Sequence, residues 1–419
     1  MVIIALYITT LILVPQLWVP PFIGWPVDYI LYPLLFMAVL QSGRLTEFTR
    51  LTTHDWLFLG LVTWIILGAI ANGLTAESQY QIFLYIKYFL IYKLVMAVVG
   101  SVERANRFIR IFIFLTCVLA LEAIQQKLSI DGSGWANQGR AWIDPDVLKA
   151  GGVGRSRWLG IFDGPGVFCV LFTISLPFFL EHLGKEFSVW RRALSGVPII
   201  LLLGAIYATG SRGGILASLA LIGLHGMWRA GVSIRTMLVG CGLVLLAYSL
   251  APAHLTTVRD QSHSSQHRVE MWAEGLDMVK EAPVFGIGRG NFQAYTSKLI
   301  AHNSAVQMVG ETGLVGLFLW VGLIYVSVKG VVAYLKSTEK PAENTFCVAL
   351  ILSVIGYLLS AQFVTLEYET FYLLLAVCAV IARCSPTRVR LEACDYFYIG
   401  TIVVAWIVVL QIFVIHFFG

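Results

Sequence analysis

The sequence predicts an all-α, polytopic transmembrane protein with twelve or thirteen spans and an outward-facing helical loop. Three observations predict it. Of 419 residues, 58% are hydrophobic and 13% charged, with a mean hydropathy of +0.80, which is more apolar surface than a soluble core takes in. The apolar residues fall in runs that approach the roughly 20 residues needed to cross about 30 Å of hydrocarbon. Those runs are continuous rather than alternating, so helices and not barrel strands satisfy the backbone in lipid.

Taken in order, spans are expected near Val2 to Trp18, Val27 to Leu40, Trp56 to Ile70, Ile82 to Val99, Phe108 to Ile124 and Val167 to His182. They continue at Val197 to Tyr207, Ile215 to Met227, Met237 to Leu250, Ala305 to Val328, Phe346 to Phe363, Phe371 to Ile381 and Ile399 to Phe418. One of the short runs suits a re-entrant or tilted segment as well as a span. The first run has no basic segment before it and no small-residue site after it, so a cleaved signal is not expected.

Orientation follows from the cations, because short loops rich in Lys and Arg stay in the cytoplasm. Arg44 and Arg50; Arg104, Arg107 and Arg110; Lys185, Arg191 and Arg192; Arg229 and Arg235; Lys329, Lys336 and Lys340; and Arg383, Arg388 and Arg390 fall in alternate loops. The N-terminus is then inside, and Gln125 to Gly160, Thr209 to Gly214 and Ala251 to Asn303 face outward. The chain reads as one integral membrane domain, with 125–160 as a first long outward segment and 251–303 as a large outward loop that holds the candidate active site. The net charge of +5 reflects this topology rather than a nucleic-acid surface, so no nucleic acid is expected as a partner. All seven cysteines lie in expected spans or cytoplasmic segments, with no CxxC pair, so no disulfide is expected in the outer loops. No repeat or separable soluble domain is visible.

The outward segments concentrate the polar chemistry. In the first, Trp135, Trp142 and Trp158 suit an interfacial aromatic belt, and Arg155 and Arg157 stand before the next span, where they suit lipid head groups or a phosphorylated ligand. Asp144 and Asp146 flank Pro145 with a spacing that suits either a shared divalent cation or an ordinary turn. Asp163 in FDGPGVF is placed to favour the start of a helix. In TGSRGG, Gly210, Gly213 and Gly214 permit a sharp reversal that fixes Arg212 at its tip, as a lipid-phosphate anchor or a preorganised anion ligand.

In the long loop, Val269, Met271, Trp272, Leu276 and Met278 recur with helical spacing and predict an amphipathic helix on the outer membrane surface, with Arg268 near its start. Gly286, Gly288 and Gly290 bracket Arg289 in a turn whose backbone is able to approach a ligand closely. No strand–turn–helix context makes it a dinucleotide or Walker signature. His302 precedes the span at Ala305 and titrates near neutrality, on the same side as Arg212, Arg268 and Arg289. His263 and His267 have the spacing of a metal pair but no evident third ligand, so they read as a solvated pair. Lys87 and Lys93 lie within the fourth span, where an ionisable residue faces a cavity or is paired. Glu311, early in the span after His302, is placed to orient an arginine.

TGSRGG, then HRVEMWAEGLDMVKEAPVFGIGRGNF, then AHNSAVQMVGETGLVGLF together resemble the shared core of the bacterial O-antigen ligase and O-antigen polymerase superfamily, membrane glycosyltransferases of the GT-C class. The resemblance covers roughly Leu201 to Gly322. It implies a GT-C-like helical fold in the bacterial inner membrane, an active site facing the periplasm, and donors linked to undecaprenyl diphosphate. Arg212 and Arg268 match arginines implicated in the pyrophosphate site, and His302 matches the proposed base. Arg289, Arg155, Arg157 and Lys87 are further candidates to bind the diphosphate or lipid. The family's Asn- or Asp-Pro-Asn sequence is absent before the FDGPGVF span, which leaves the role of Asp163 open, and Arg289 stands where family members vary.

Physical logic agrees with the resemblance. Breaking a sugar–diphosphate bond builds negative charge on the leaving group, which fixed guanidinium groups stabilise, so no metal and no cofactor is expected. The attacking sugar hydroxyl sheds its proton to His302, and attack opposite the diphosphate inverts the anomeric centre. The expected acceptor is lipid A–core oligosaccharide, with membrane lipids as surroundings. A polymerase joining repeat units is the near alternative. A transporter would cluster substrate groups at the bilayer midplane between related halves, whereas the polar groups here stand at the outer edge.

Overall fold

The computed structural model describes residues 1–136, 154–184, 187–233, 236, 263–296 and 299–418. Asp144, Asp146, Trp142 and the span expected at Met237 to Leu250 lie outside the described residues. The regular elements are helices: α1 (Val2–Leu13), α2 (Val27–Gln41), α3 (Leu45–Thr49), α4 (Thr53–Ala71), α5 (Ala76–Val99), α6 (Val102–Leu128), α7 (Pro165–Leu183), α8 (Val189–Thr209) and α9 (Arg212–Arg229). They continue with α10 (His263–Glu281), α11 (Phe292–Tyr295), α12 (Ser304–Ser337), α13 (Pro341–Ala361), α14 (Glu369–Cys384) and α15 (Ala393–Phe418). The protein is therefore an all-α polytopic membrane protein. Eight of these helices, α4 to α8, α12, α13 and α15, are long and apolar enough to cross a membrane. The other expected spans within the described residues are also helical, at α1, α2, α9 and α14, but are shorter or less apolar.

The chain divides into two compact units. The first comprises Met1–Thr52, Tyr88–Leu219 and Val326–Val389; the second comprises Thr53–Lys87, Ala220–Tyr325 and Arg390–Gly419.

In the first unit, hydrogen bonds and ion pairs tie loops together at two places. At one, Arg44 donates to the carbonyls of Ala97 and Val98 at 3.3 and 3.1 Å, a cation at the negative C-terminus of α5. Lys93 donates to the Arg50 carbonyl at 2.9 Å, and Arg383 pairs with Glu47. Lys93 thus serves as a buried tie rather than a group facing an open cavity. At the other, Ser156 N donates to the Ala208 carbonyl at 3.1 Å, and the buried Trp158 indole donates to Ile12 at 3.1 Å. The rings of Tyr88 and Tyr372 stack at 5.1 Å.

In the second unit, α10 is the amphipathic helix that its periodicity predicts, but its apolar face does not lie open to lipid. Val269, Met271, Leu276 and Met278 pack with Phe292, Val306, Leu410 and Val414, and Trp272 meets Phe413 at a ring separation of 5.6 Å. Periodicity specifies that a face is buried, not what buries it. The cover here is the last turns of α15 and the start of α12.

Helix α12 is broken at Gly313, whose φ of 69° and ψ of −172° no L side chain adopts easily. The break separates a short leading half-helix, Ser304–Thr312, from Leu314–Ser337, which is alone about 36 Å long at roughly 1.5 Å per residue and so long enough to cross the hydrocarbon by itself. The groups freed at the break are satisfied: Leu314 N donates to the Pro283 carbonyl at 2.8 Å, Ile287 N to Gly310 at 3.1 Å, and the Trp64 indole to Thr312 at 3.0 Å.

Candidate functional site

His302 stands just before the leading half-helix of α12, and its neighbours in sequence hold it. Ala301 accepts a hydrogen bond from the Trp272 indole at 2.9 Å, which ties the residue before His302 to α10. Asn303 caps the half-helix: its Oδ1 accepts from the backbone N–H groups of Ala305 and Val306 at 3.0 and 3.2 Å. Between these two anchors His302 adopts a φ of 50°, a left-handed conformation that non-glycine residues seldom hold without outside support. The imidazole is half-buried, and its pKa is pushed down from 6.5 to about 4, by burial first and by the charge of Arg268 second. Arg268, itself half-buried, comes from α10. The structure thus brings together two of the three residues that the sequence marks as catalytic, and leaves the imidazole neutral at pH 7 and able to accept a proton.

Arg212 stands in the first unit as the first residue of α9, exposed. Its turn is built residue by residue. Gly210 ends α8 with φ at 59°, and Ser211 caps α9 by accepting from Gly214 N at 3.2 Å. Of the three glycines in TGSRGG only Gly210 makes the reversal; Gly213 and Gly214 lie inside α9 and instead let Phe363 and Cys169 pack against it. Beside the turn, Arg155 donates through Nε to the Thr209 carbonyl at 3.3 Å. Burial, and secondarily the charge of Arg212, lowers the pKa of Arg155. Two guanidinium groups held near one another at a helix N-terminus repel, and an anion placed between them relieves that repulsion.

The remaining candidates divide. Arg157 pairs with Asp163 at 2.9 Å and exchanges backbone hydrogen bonds with the amide of Gln126, donating at 3.2 Å and accepting at 3.0 Å. That pairing supplies a role for Asp163, which the sequence leaves open. Arg289 is buried in an ion pair with Glu311, its guanidinium 5.5 Å from the Tyr85 ring centre. The arginine that Glu311 is placed to orient is therefore Arg289. The turn around it packs into protein, since a Cβ on Gly286 would lie 2.4 Å from the Glu311 backbone. Lys87 is half-buried within α5, in the second unit.

His267 pairs with Glu270 at 2.9 Å on the exposed side of α10. Among the described residues no three His, Cys, Asp or Glu side chains cluster closely enough to hold a metal ion. Sequence reasoning missed Trp272 and Asn303 as the groups that fix His302. The Asn-Ser start before an apolar run is a readable capping signal, whereas the Trp272 contact leaves no local trace.

Comparison with known proteins adds a family. Residues 197–321 match the family described as O-antigen ligase. No curated protein sequence matches the chain at a significant level. One solved chain, described under "Structural coordination of polymerization and crosslinking by a peptidoglycan synthase complex", is 16% identical with a TM-score of 0.42, over 79% of this chain and 98% of that one. Likeness of that degree fixes neither fold nor function.

Proposed function

We propose, from the match of residues 197–321 to the O-antigen ligase family, that this protein moves a glycan from undecaprenyl diphosphate onto a sugar hydroxyl of the lipid A–core oligosaccharide. The reaction is metal-independent and inverting, and it takes place at the periplasmic face of the inner membrane.

The observation that supports this reading most directly is the half-buried His302 beside Arg268, neutral at physiological pH. A hydroxyl of the acceptor attacks the anomeric carbon of the donor; the carbon–oxygen bond to the diphosphate breaks, and the hydroxyl proton passes to His302. Negative charge moves onto the departing diphosphate, where Arg268 stabilises it; the family resemblance assigns Arg212 to the pyrophosphate as well. Arg155, Arg157 and Lys87 serve the diphosphate or its lipid. A base with a pKa near 4 is weak; an anionic diphosphate near Arg268 offsets that cation and so raises the imidazole pKa by the smaller, electrostatic part of its shift, while the effect of burial remains.

A polymerase joining lipid-linked repeat units would use the same groups, and the two readings part at the product. Lipopolysaccharide from a strain lacking the protein decides between them. Unmodified core, with full-length polymer still carried on undecaprenyl diphosphate, is the expected result. Core bearing a single repeat unit would assign polymerase activity instead.

A further inference from the structure

We propose that Arg289 and Glu311 are positioning residues, which fasten the leading half-helix of α12 and thereby set the imidazole at its N-terminus. This rests on the reading of His302 as general base. The helix break gives the proposal its physical basis. Because α12 is interrupted at Gly313, helix continuity does not hold Ser304–Thr312 in register with the long segment that follows. Side chains from elsewhere must do so.

Glu311 is the sole ionisable residue of the half-helix and is 1% exposed. Its carboxylate takes the Arg289 guanidinium, the Phe292 N–H at 3.0 Å and the Gln307 amide at 3.4 Å. Arg289 is 4% exposed and belongs to the turn 286–290, which is tied in turn to the end of α4 and the start of α5. Asn72 donates to the Gly286 carbonyl at 3.1 Å, and Thr75 donates to Asn291 Oδ1 at 2.8 Å. Trp64 of α4 stacks on Phe285 at 4.5 Å while its indole holds the Thr312 carbonyl. A continuous set of contacts therefore runs from α4 through the glycine turn to the half-helix that follows His302.

A buried ion pair contributes little net stability, because desolvation offsets the attraction; what it supplies is registry. With its guanidinium given to Glu311, Arg289 acts on the site through the half-helix rather than on the donor. Among the described residues, the charged group that acts on His302 is Arg268 of α10. Loosening the half-helix lets water reach the imidazole and raises its pKa.

The test reads His302 without turnover. Full-length protein in nanodiscs is treated with diethyl pyrocarbonate, which reacts with histidine only in its neutral form, and the extent at His302 is followed by mass spectrometry across pH. Wild type is compared with Glu311→Gln, Glu311→Asp and Arg289→Lys. In Glu311→Gln the midpoint should rise by about one pH unit or more, and kcat should fall by about 10- to 100-fold with donor KM held within about twofold. Glu311→Asp should recover part of both. An unmoved midpoint in folded Glu311→Gln overturns the proposal; should that variant not fold, an unmoved midpoint in Arg289→Lys does so. A raised donor KM at unchanged kcat in Arg289→Lys also overturns it, making Arg289 a diphosphate ligand. Since the labelling midpoint needs no substrate, its failure is distinct from failure of the base assignment, which shows as undiminished turnover in His302→Ala.

Discussion

At the scale of single residues, the proposed site turns on the protonation of one imidazole. Burial and the Arg268 charge both disfavour imidazolium, so the folded pKa lies below the ordinary 6.5, at about 4, and the base form persists as pH falls through the range where a free histidine protonates. The acid limb of kcat/KM, which reports the free enzyme, should therefore lie near pH 4 to 5 rather than 6.5. The limb of kcat should lie higher, because bound diphosphate favours the cation. A common limb at 6.5 in both profiles would remove His302 from the proton transfer. Arg212 and His302 should also fail differently. Arg212→Lys keeps a charge but loses the planar fork that grips two phosphate oxygens, so donor use should fall by about 10²-fold if one charge-assisted contact of about 3 kcal/mol is lost. His302→Ala should leave binding of the lipid-linked donor nearly intact while cutting turnover. Binding and single-turnover transfer measured at matched expression separate the two. A His302→Ala protein that turns over at saturating donor but binds it poorly would make the histidine a ligand or a structural post.

At the scale of elements, the glycine turn and the broken helix make one assembly. Gly286 has a φ of 64°, and a Cβ there would lie 2.4 Å from the Glu311 backbone, so the turn and the half-helix approach as closely as backbones allow. Gly286→Ala should cost about 2 kcal/mol or more, combining backbone strain with displacement of the turn. Asn303→Ala should cost only about 1 kcal/mol, the worth of a helix cap. Apparent melting temperatures of the two variants in the same detergent order the effects, and a Gly286→Ala protein as stable as wild type would mean that the turn is not wedged there. The amphipathic pattern of α10 was legible in the sequence and so was the start of α12. The break at Gly313 was not, because glycine within an apolar run is common, and it is the approach of the Pro283 and Val284 carbonyls that gives this one its conformation.

At the scale of the molecule, the cation pattern predicts that Arg268 and His302 face outward. Single cysteines beside each, in a cysteine-free background, should react with an impermeant maleimide once the outer membrane is permeabilised, while a cysteine near Arg107 stays protected. The reverse labelling would invert the topology. Activity of purified protein should survive EDTA if, as proposed, arginines neutralise the diphosphate in place of a divalent cation; a loss restored by Mg²⁺ would return attention to Asp144 and Asp146. Helical class and membrane residence were readable from the chain alone. These are sums or local periods, and counting residues along the chain recovers them. Which partner each charged group meets was not readable. Arg157 to Asp163, Arg289 to Glu311, Arg155 beside Arg212 and Arg268 beside His302 are choices among many cations of equal local merit. Tertiary structure made those choices, because a guanidinium in low dielectric is governed by whatever charge folding brings within a few ångströms, and separation along the chain carries no information about that distance.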